Sequence, residues 1–396
     1  MLTGILRLAK DVSLSPLNNL AEFNMVRSEF APYYGFTNQE VEQLFKLFEF
    51  NLNYLGKVKQ MYNGYYFNSA DSVYNPWSLV NCLNASLSNR AQKRRSFNSD
   101  ENSTLRSYWT QSGTIEYISS LMLHPAVLDK FGQLLSSDEL TFAFVDQLSK
   151  LDMDVVKDLL FQNKSKQLDD ITEGQLSVIF TFLCYQGYFS ISKVAGTAYT
   201  VKLPNLEVKM EINKLISSAM DRSEHSVNFS SVKSCLENFI KKHNEVESVK
   251  EFAQDLEKKI HDLISGLPRF GSFDQQNPVQ QRQYIVGNEN IIQCLLTACI
   301  TTIKSVRLDS IGSEVCLNDL KRGDIFLTYQ NLAIVIELKL KKTAAIALQQ
   351  IHDKGYANYL KPNYDNICLI GINVNLDKSV SVALEFTVSI FNNLAF

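Results

Sequence analysis

The sequence has no CxxC pair, no HxH or HExxH spacing, and no glycine-rich G-x-x-x-x-G-K-[ST] loop. Each absence closes off a class of protein. The seven cysteines (Cys82, Cys184, Cys235, Cys294, Cys299, Cys316 and Cys368) are scattered and odd in number, which argues against a disulfide framework and against a structural zinc site. The five histidines (His124, His225, His243, His261 and His352) stand apart, as surface or capping residues do, so they are assigned no ligand role. With no loop to cradle phosphates, ATP is not an expected partner. No apolar run reaches the ~18 residues needed to span a bilayer. Arg7, Lys10 and Asp11 interrupt the stretch in which a secretory signal would need to be apolar. These gaps predict a reduced, cytoplasmic protein with no membrane partner.

A strong field of either sign is also missing. The 39 Lys and Arg nearly balance the 42 Asp and Glu, so any contact with nucleic acid must come from a local patch. From Gln275 onward there are 11 basic residues against 10 acidic ones, which makes the tail the less acidic part.

What is present is 396 residues, 45% of them hydrophobic, enough for two or three domains. VEQLFKLFEFNL has apolar residues at 41, 44, 45, 48 and 52, near the helical period. VKQMYNGYYF predicts two short strands around Asn63-Gly64, and a helix is expected to start at Pro76, where a missing N–H costs nothing. SFNSDENST (96–104) is expected to be an exposed loop. SVKSCLENFI and VKEFAQDLEKKIHDLI predict two amphipathic helices between 231 and 264, after helices and a short strand at 188–192. The composition then shifts to GSFDQQNPVQQRQ, rich in Gln, Pro and Gly. The expected organisation is a helix-rich region over 1–267, a linker at 268–283 and a compact domain over 284–396.

In that last domain the order of elements changes. A helix at 289–303 precedes strands at VRLDSI, GDIFLTY and LAIVIELKL, then a helix from Thr343 to Leu360 that ends before Pro362, then strands NICLIGINV and VSVALEFTVSIF. The expected fold class is α+β or α/β, with an α-β-β-β-α-β unit at the C-terminal end.

GDIFLTYQNLAIVIELKL has a polar tip at Gln330-Asn331, and a symmetric hairpin there pairs residues whose numbers sum to 661. Asp324 then faces Glu337. Side chains alternate along a strand, so Lys339 projects from the same face, while Ile336, Leu338 and Leu340 point the other way into a core. Two carboxylates held that close repel unless a cation lies between them, and an all-oxygen pair suits Mg²⁺ or Mn²⁺. Such an ion polarises a phosphate and acidifies a bound water, while a lysine beside it stabilises developing charge, which is phosphodiester chemistry. Lys321, Arg322, Lys341 and Lys342 stand ready to meet neighbouring phosphates. The bland alternative is an ion-paired patch on an edge strand, where charged i, i+2 pairs are common. The run QKRR at 92–95 favours a solvated loop over a phosphate contact, and Tyr62, Tyr65, Tyr66, Phe67, Tyr74 and Trp77 favour a small aromatic core over a base-stacking platform.

The pattern of Gly323-Asp324, then Glu337-Leu338-Lys339, then the helix ALQQIHDKGYANYL and the strand NICLIGINV resembles the PD-(D/E)XK nuclease superfamily. More narrowly it is similar to the nuclease-like domain of the AAA-ATPase-like/PD-(D/E)XK fusion family. TGILRLAK, SPLNNL, YYGFTNQEV, MYNGYYF, VYNPWSLVN, YWTQSGT and CYQGYFS extend that resemblance over most of the chain. The resemblance implies a restriction-endonuclease-like fold, Asp324 and Glu337 as metal ligands and Lys339 as the catalytic lysine. It further implies Glu289 as a third acidic ligand, Gln350 in the catalytic set and Tyr356 beside the substrate. The family's nucleotide-binding loop and acidic Mg²⁺ motif precede a segment like TGIL, so residues 1–267 are expected to be a helical remnant without a nucleotide site. The expected function is a Mg²⁺- or Mn²⁺-dependent nuclease, DNA first, in which the N-terminal helices aid substrate or protein partners. The alternative is an inactive nuclease fold serving as a protein-interaction module, for example within an effector or toxin.

Overall fold

A computed structural model describes residues 28–67, 71–93, 104–109, 121–136, 139–145, 148–161, 171–243, 246–267, 289–303, 310–318, 321–375 and 378–388. The fold is mixed α+β and forms two compact units. The first comprises Met1–Leu121 with Asp138–Ile212, and the second comprises Met122–Ser137 with Asn213–Phe396.

In the first unit, α1 (Asn38–Leu47), α2 (Leu52–Tyr62) and α3 (Pro76–Lys93) enclose a core of Val41, Phe45, Phe50, Tyr54, Val58 and Leu79. Thr37 starts α1 with a capping box, its hydroxyl receiving the Glu40 N–H while the Glu40 carboxylate receives the Thr37 N–H. Pro76 opens α3 as expected, with Asn75 Oδ1 accepting the Ser78 N–H. The hairpin expected at Val58–Phe67 is not formed, because Val58 to Tyr62 belong to α2. A helical period set by Tyr54, Val58, Met61 and Tyr62 overrides the Asn63-Gly64 turn signal, and Gly64 takes its positive φ of 102° just after the helix. Tyr65, Phe67 and Tyr74 are buried in keeping with an aromatic core, whereas Trp77 is 59% exposed. A small antiparallel sheet, β1-β3-β2 (Leu140–Ala143, Ala198–Lys202, Ser190–Ala195), completes the unit with α5 (Lys150–Phe161) and α6 (Glu173–Tyr185); α4 (Pro125–Ser136) belongs to the second unit, and α7 (Leu206–Asp221) contains the boundary after Ile212.

The second unit holds the larger sheet, ordered β4-β5-β6-β7-β8. Its strands are Ser310–Asn318, Lys321–Tyr329, Leu332–Leu340, Asn366–Val374 and Val380–Val388. All neighbours are antiparallel except β6 and β7, which are parallel. β6 is therefore a central strand, and nine of nine β7 residues are buried, as a strand covered on both faces should be. This placement removes the edge-strand alternative for Glu337 and Lys339.

The α-β-β-β-α-β order is present, from α10 (Glu289–Thr301) through β4–β6 to α11 (Ala344–Lys354) and β7. The helix expected from Thr343 to Leu360 is two: Gly355, in the left-handed region at φ 72°, caps α11, and α12 (Tyr356–Leu360) follows. A residue with a Cβ pays a steric penalty there, so the glycine marks the break.

The second unit takes in more chain than the expected 284–396 domain. Helices α8 (Ser226–Lys242) and α9 (Val246–Gly266), expected in the N-terminal portion, close on the sheet. Phe239 of α8 meets Phe386 of β8 edge to face, 6.2 Å between centroids, and Glu257 of α9 accepts the Val382 N–H of that edge strand at 2.9 Å. The expected linker (268–283), the segments TGILRLAK and SPLNNL, the side chains of QKRR and most of SFNSDENST lie outside the described residues. So do the first four residues of VRLDSI, the described strand there beginning at Ser310. No described helix is long and apolar enough to cross a membrane.

Candidate functional site

The hairpin register is the one the sequence predicts. Ile325 pairs with Ile336, Phe326 with Val335 and Tyr329 with Leu332, all summing to 661. Phe326, Ala333 and Val335 pack with Ile351 and Tyr356 beneath α11 and α12, and alternation extends that same face to Asp324, Glu337 and Lys339. The regular pairing stops at Ile325 and Ile336, one step before Asp324 and Glu337. There the Asp324 carboxylate takes over from the ladder, its Oδ2 accepting the Leu338 N–H at 2.6 Å. A buried N–H needs a partner, and a side chain supplies it here. Gln293 of α10 steadies the same residue from behind, donating to the Asp324 carbonyl at 3.0 Å.

Glu337 is fully buried. Its Oε1 receives Lys354 Nζ at 2.8 Å, Lys339 Nζ at 3.4 Å and the Gln350 side-chain amide, while its Oε2 is buried and has no hydrogen-bond partner among the described residues. α11 delivers Lys354 and Gln350 because it lies against β6 and β7 at very short range, while Lys339 comes from β6 itself. At Gly371, the β7 neighbour of Glu337, a Cβ would collide with the Ala344 carbonyl and come within 2.6 Å of the Leu348 nitrogen. Only glycine admits the helix that closely.

Lys339 Nζ also donates to the Leu338 carbonyl at 2.8 Å and lies 3.7 Å from Glu289 at the start of α10. Burial would depress its pKa, but Asp324, Glu337 and Glu289 outweigh that and hold the pKa above the usual lysine value. Lys339 is thus a fixed cation among three carboxylates.

The structure therefore brings together Asp324, Glu337, Lys339, Glu289 and Gln350. Tyr356, expected to touch substrate, is instead fully buried in the apolar cluster, because it opens α12 directly beneath the sheet. Lys341 and Lys342 are exposed just past β6, where Asn373 Oδ1 accepts the Lys342 N–H; the side chains of Lys321 and Arg322 lie outside the described residues. Two of the histidines cap or face solvent: His124 Nδ1 accepts the Ala126 N–H, and His352 turns away from the site to Glu385 at 2.9 Å; His225 is an exception, making no side-chain cap bond. Sequence reasoning missed Lys354 and Gln293. Lys354 was findable, since it follows Gln350 by four residues and so shares its helix face.

Among the described residues, no group of three His, Cys, Asp or Glu side chains is arranged to hold a metal ion. The residues nonetheless fit a divalent cation in one respect. A desolvated carboxylate oxygen without a partner is costly, and Glu337 Oε2 is such an atom.

Comparison with known proteins adds little chemistry. No family model matches the chain, and no solved structure matches it. A curated protein from Azotobacter chroococcum mcd 1, described as an uncharacterized protein in the vnfD 5' region, is 22% identical over 390 residues. That similarity covers 95% of this chain but 61% of the relative.

Proposed function

We propose that the β5–β6–α11 site hydrolyses phosphodiester bonds with the help of Mg²⁺ or Mn²⁺, with DNA as the first substrate class. The observation that carries this reading is Glu337: a fully buried carboxylate with one oxygen held by donors and the other without a partner among the described residues, on the face shared with Asp324 and Lys339. Asp324 and Glu337 would hold the cation, with Glu289 at the rim. When bound, the ion supplies Lewis acidity toward a phosphate oxygen and lowers the pKa of a water.

The chain's own residues have distinct tasks. Lys339, whose Nζ lies 3.4 Å from Glu337 and donates to the Leu338 carbonyl, serves as a cation and donor rather than a base. Its charge favours the transition state, in which negative charge builds on the phosphoryl oxygens as water bonds to phosphorus and an ester oxygen leaves. Gln350 orients Glu337. Lys341 and Lys342, exposed at the end of β6, meet flanking phosphates.

A second reading, an inactive nuclease fold used for protein interaction, is favoured by one observation: two lysines already neutralise Glu337 without any ion. Cleavage of plasmid and single-stranded DNA separates the two, with Mn²⁺ or with EDTA. Wild type should cut only with the ion, Asp324→Ala should not cut, and Lys339→Ala should lose about 10²-fold or more in rate, the scale of one transition-state donor. Lys339→Ala should still bind Mn²⁺. Wild-type protein that neither cuts nucleic acid nor binds Mn²⁺ would leave the interaction module as the answer.

A further inference from the structure

The lysine that sequence reasoning missed is the nearer of two lysines to the buried carboxylate. Lys354 Nζ is 2.8 Å from Glu337 Oε1, nearer than Lys339 at 3.4 Å, and its side chain is 22% exposed. Asp324, Glu337 and Glu289 contribute three negative charges; Lys339, which feels all three, and Lys354, bound to Glu337, contribute two positive ones. Among the described side chains these five leave one net negative charge. A divalent cation entering alone would overshoot to one positive charge, in a place where Glu337 is out of water and charges are poorly screened. A cation that arrives with one phosphodiester group, which carries one negative charge, leaves the pocket neutral.

We propose that Lys354 is the resident counter-ion of Glu337, and that it makes cation binding weak alone and coupled to a phosphate-bearing substrate. This rests on the metal-dependent reading above and adds a residue to it. Lys354 touches neither the scissile group nor the attacking water in this scheme; it acts through Glu337, by charge and by holding Oε1 so that Oε2 stays presented. It reaches Glu337 from α11, four residues beyond Gln350, so both donors move with one helix.

The test is Mn²⁺ calorimetry on metal-free full-length wild type, Lys354→Met, Lys354→Gln and Lys354→Arg. Each is measured with and without a phosphorothioate single-stranded DNA oligonucleotide that resists cleavage. Wild type should bind Mn²⁺ at least tenfold more tightly with the oligonucleotide present. Lys354→Met and Lys354→Gln should bind Mn²⁺ alone at least tenfold more tightly than wild type and gain little from the oligonucleotide. Lys354→Arg should behave as wild type. Melting in EDTA supplies a readout that needs no metal: Lys354→Met should melt below wild type, and Glu337→Gln added to it should restore the loss, since the uncompensated buried charge is gone. Neutral variants that bind Mn²⁺ no more tightly than wild type would overturn the role of Lys354 and leave the metal-dependent reading intact. A melting defect that Glu337→Gln does not restore would overturn it as well. Absence of Mn²⁺ binding in every protein, with and without oligonucleotide, would remove the metal-dependent reading itself and this proposal with it.

Discussion

Glu207 and Glu337 are both fully buried carboxylates, and each has one oxygen crowded with donors and one bare among the described residues. Their partners differ in charge. Glu337 Oε1 meets two lysines and an amide, whereas Glu207 Oε1 meets only neutral donors: the Ser78 hydroxyl at 2.9 Å and the N–H groups of Tyr108 and Trp109 at 2.7 and 3.2 Å. Burial pushes the Glu207 pKa up, and the charge of Glu211 adds to that, while the three donors offset only part of it. A carboxyl whose pKa is raised on folding contributes its stability in full below the unfolded value, near 4.5, and loses it as pH rises through the folded value. Each pH unit crossed while the folded carboxyl keeps a proton that the unfolded one has lost costs about 1.4 kcal/mol. Glu207→Gln keeps an oxygen for all three donors and cannot ionise. Its stability relative to wild type, from urea unfolding, should therefore climb from pH 5 to pH 8; a difference that stays flat would show that burial does not set the protonation of Glu207. Glu337 was legible in the sequence because strand alternation and hairpin register place it. Glu207 was not, because its donors come from positions 78, 108 and 109, and nothing local to residue 207 announces them.

Elements with a single strong period were read to within a residue or two. β6 and β7 coincide with LAIVIELKL and NICLIGINV, since runs rich in β-branched and aliphatic residues between polar turns leave little choice. The expected hairpin at residues 58–67 and single helix over 343–360 fail where signals compete: Asn63-Gly64 yields to the core beneath α2, and Gly355 ends a helix whose apolar period continues past it. Gly371 belongs to this scale too, because its missing Cβ sets the distance between β7 and α11. Gly371→Ala forces backbone atoms of α11 outward, and such overpacking costs roughly 1–3 kcal/mol. The same movement draws Gln350 and Lys354 away from Glu337, and misplacement by an ångström can cost about 10²-fold in rate. The variant should fold with a lowered unfolding midpoint, and under the proposed function its Mn²⁺-dependent cleavage should fall by more than the unfolded fraction explains. Loss of rate in proportion to the unfolded fraction would mean that helix placement is not what tunes the site.

At the scale of the whole molecule the chain builds two cores, and the two kinds of buried acid fall one to each: Glu207 in the unit with α1–α3, Glu337 in the unit with the five-stranded sheet. Ligand effects should follow that partition. A ligand that binds only the folded state stabilises it by RT ln(1 + [L]/Kd), about 2.7 kcal/mol at one hundred times Kd, and the protection appears first where the ligand sits. Hydrogen exchange read by mass spectrometry should then show Mn²⁺ with the phosphorothioate oligonucleotide slowing exchange in β5, β6 and α11, and leaving α1–α3 unchanged. MgATP should slow nothing that Mg²⁺ alone does not, because the sequence contains no G-x-x-x-x-G-K-[ST] loop to hold a triphosphate. The site peptides are well suited to the measurement, since β6 is central in its sheet and Asp324 itself accepts the Leu338 N–H whose exchange would report the pocket directly. Protection of α1–α3 by MgATP would establish a nucleotide site in the first unit, and protection of neither unit by Mn²⁺ and oligonucleotide would take the chemistry away from Asp324 and Glu337.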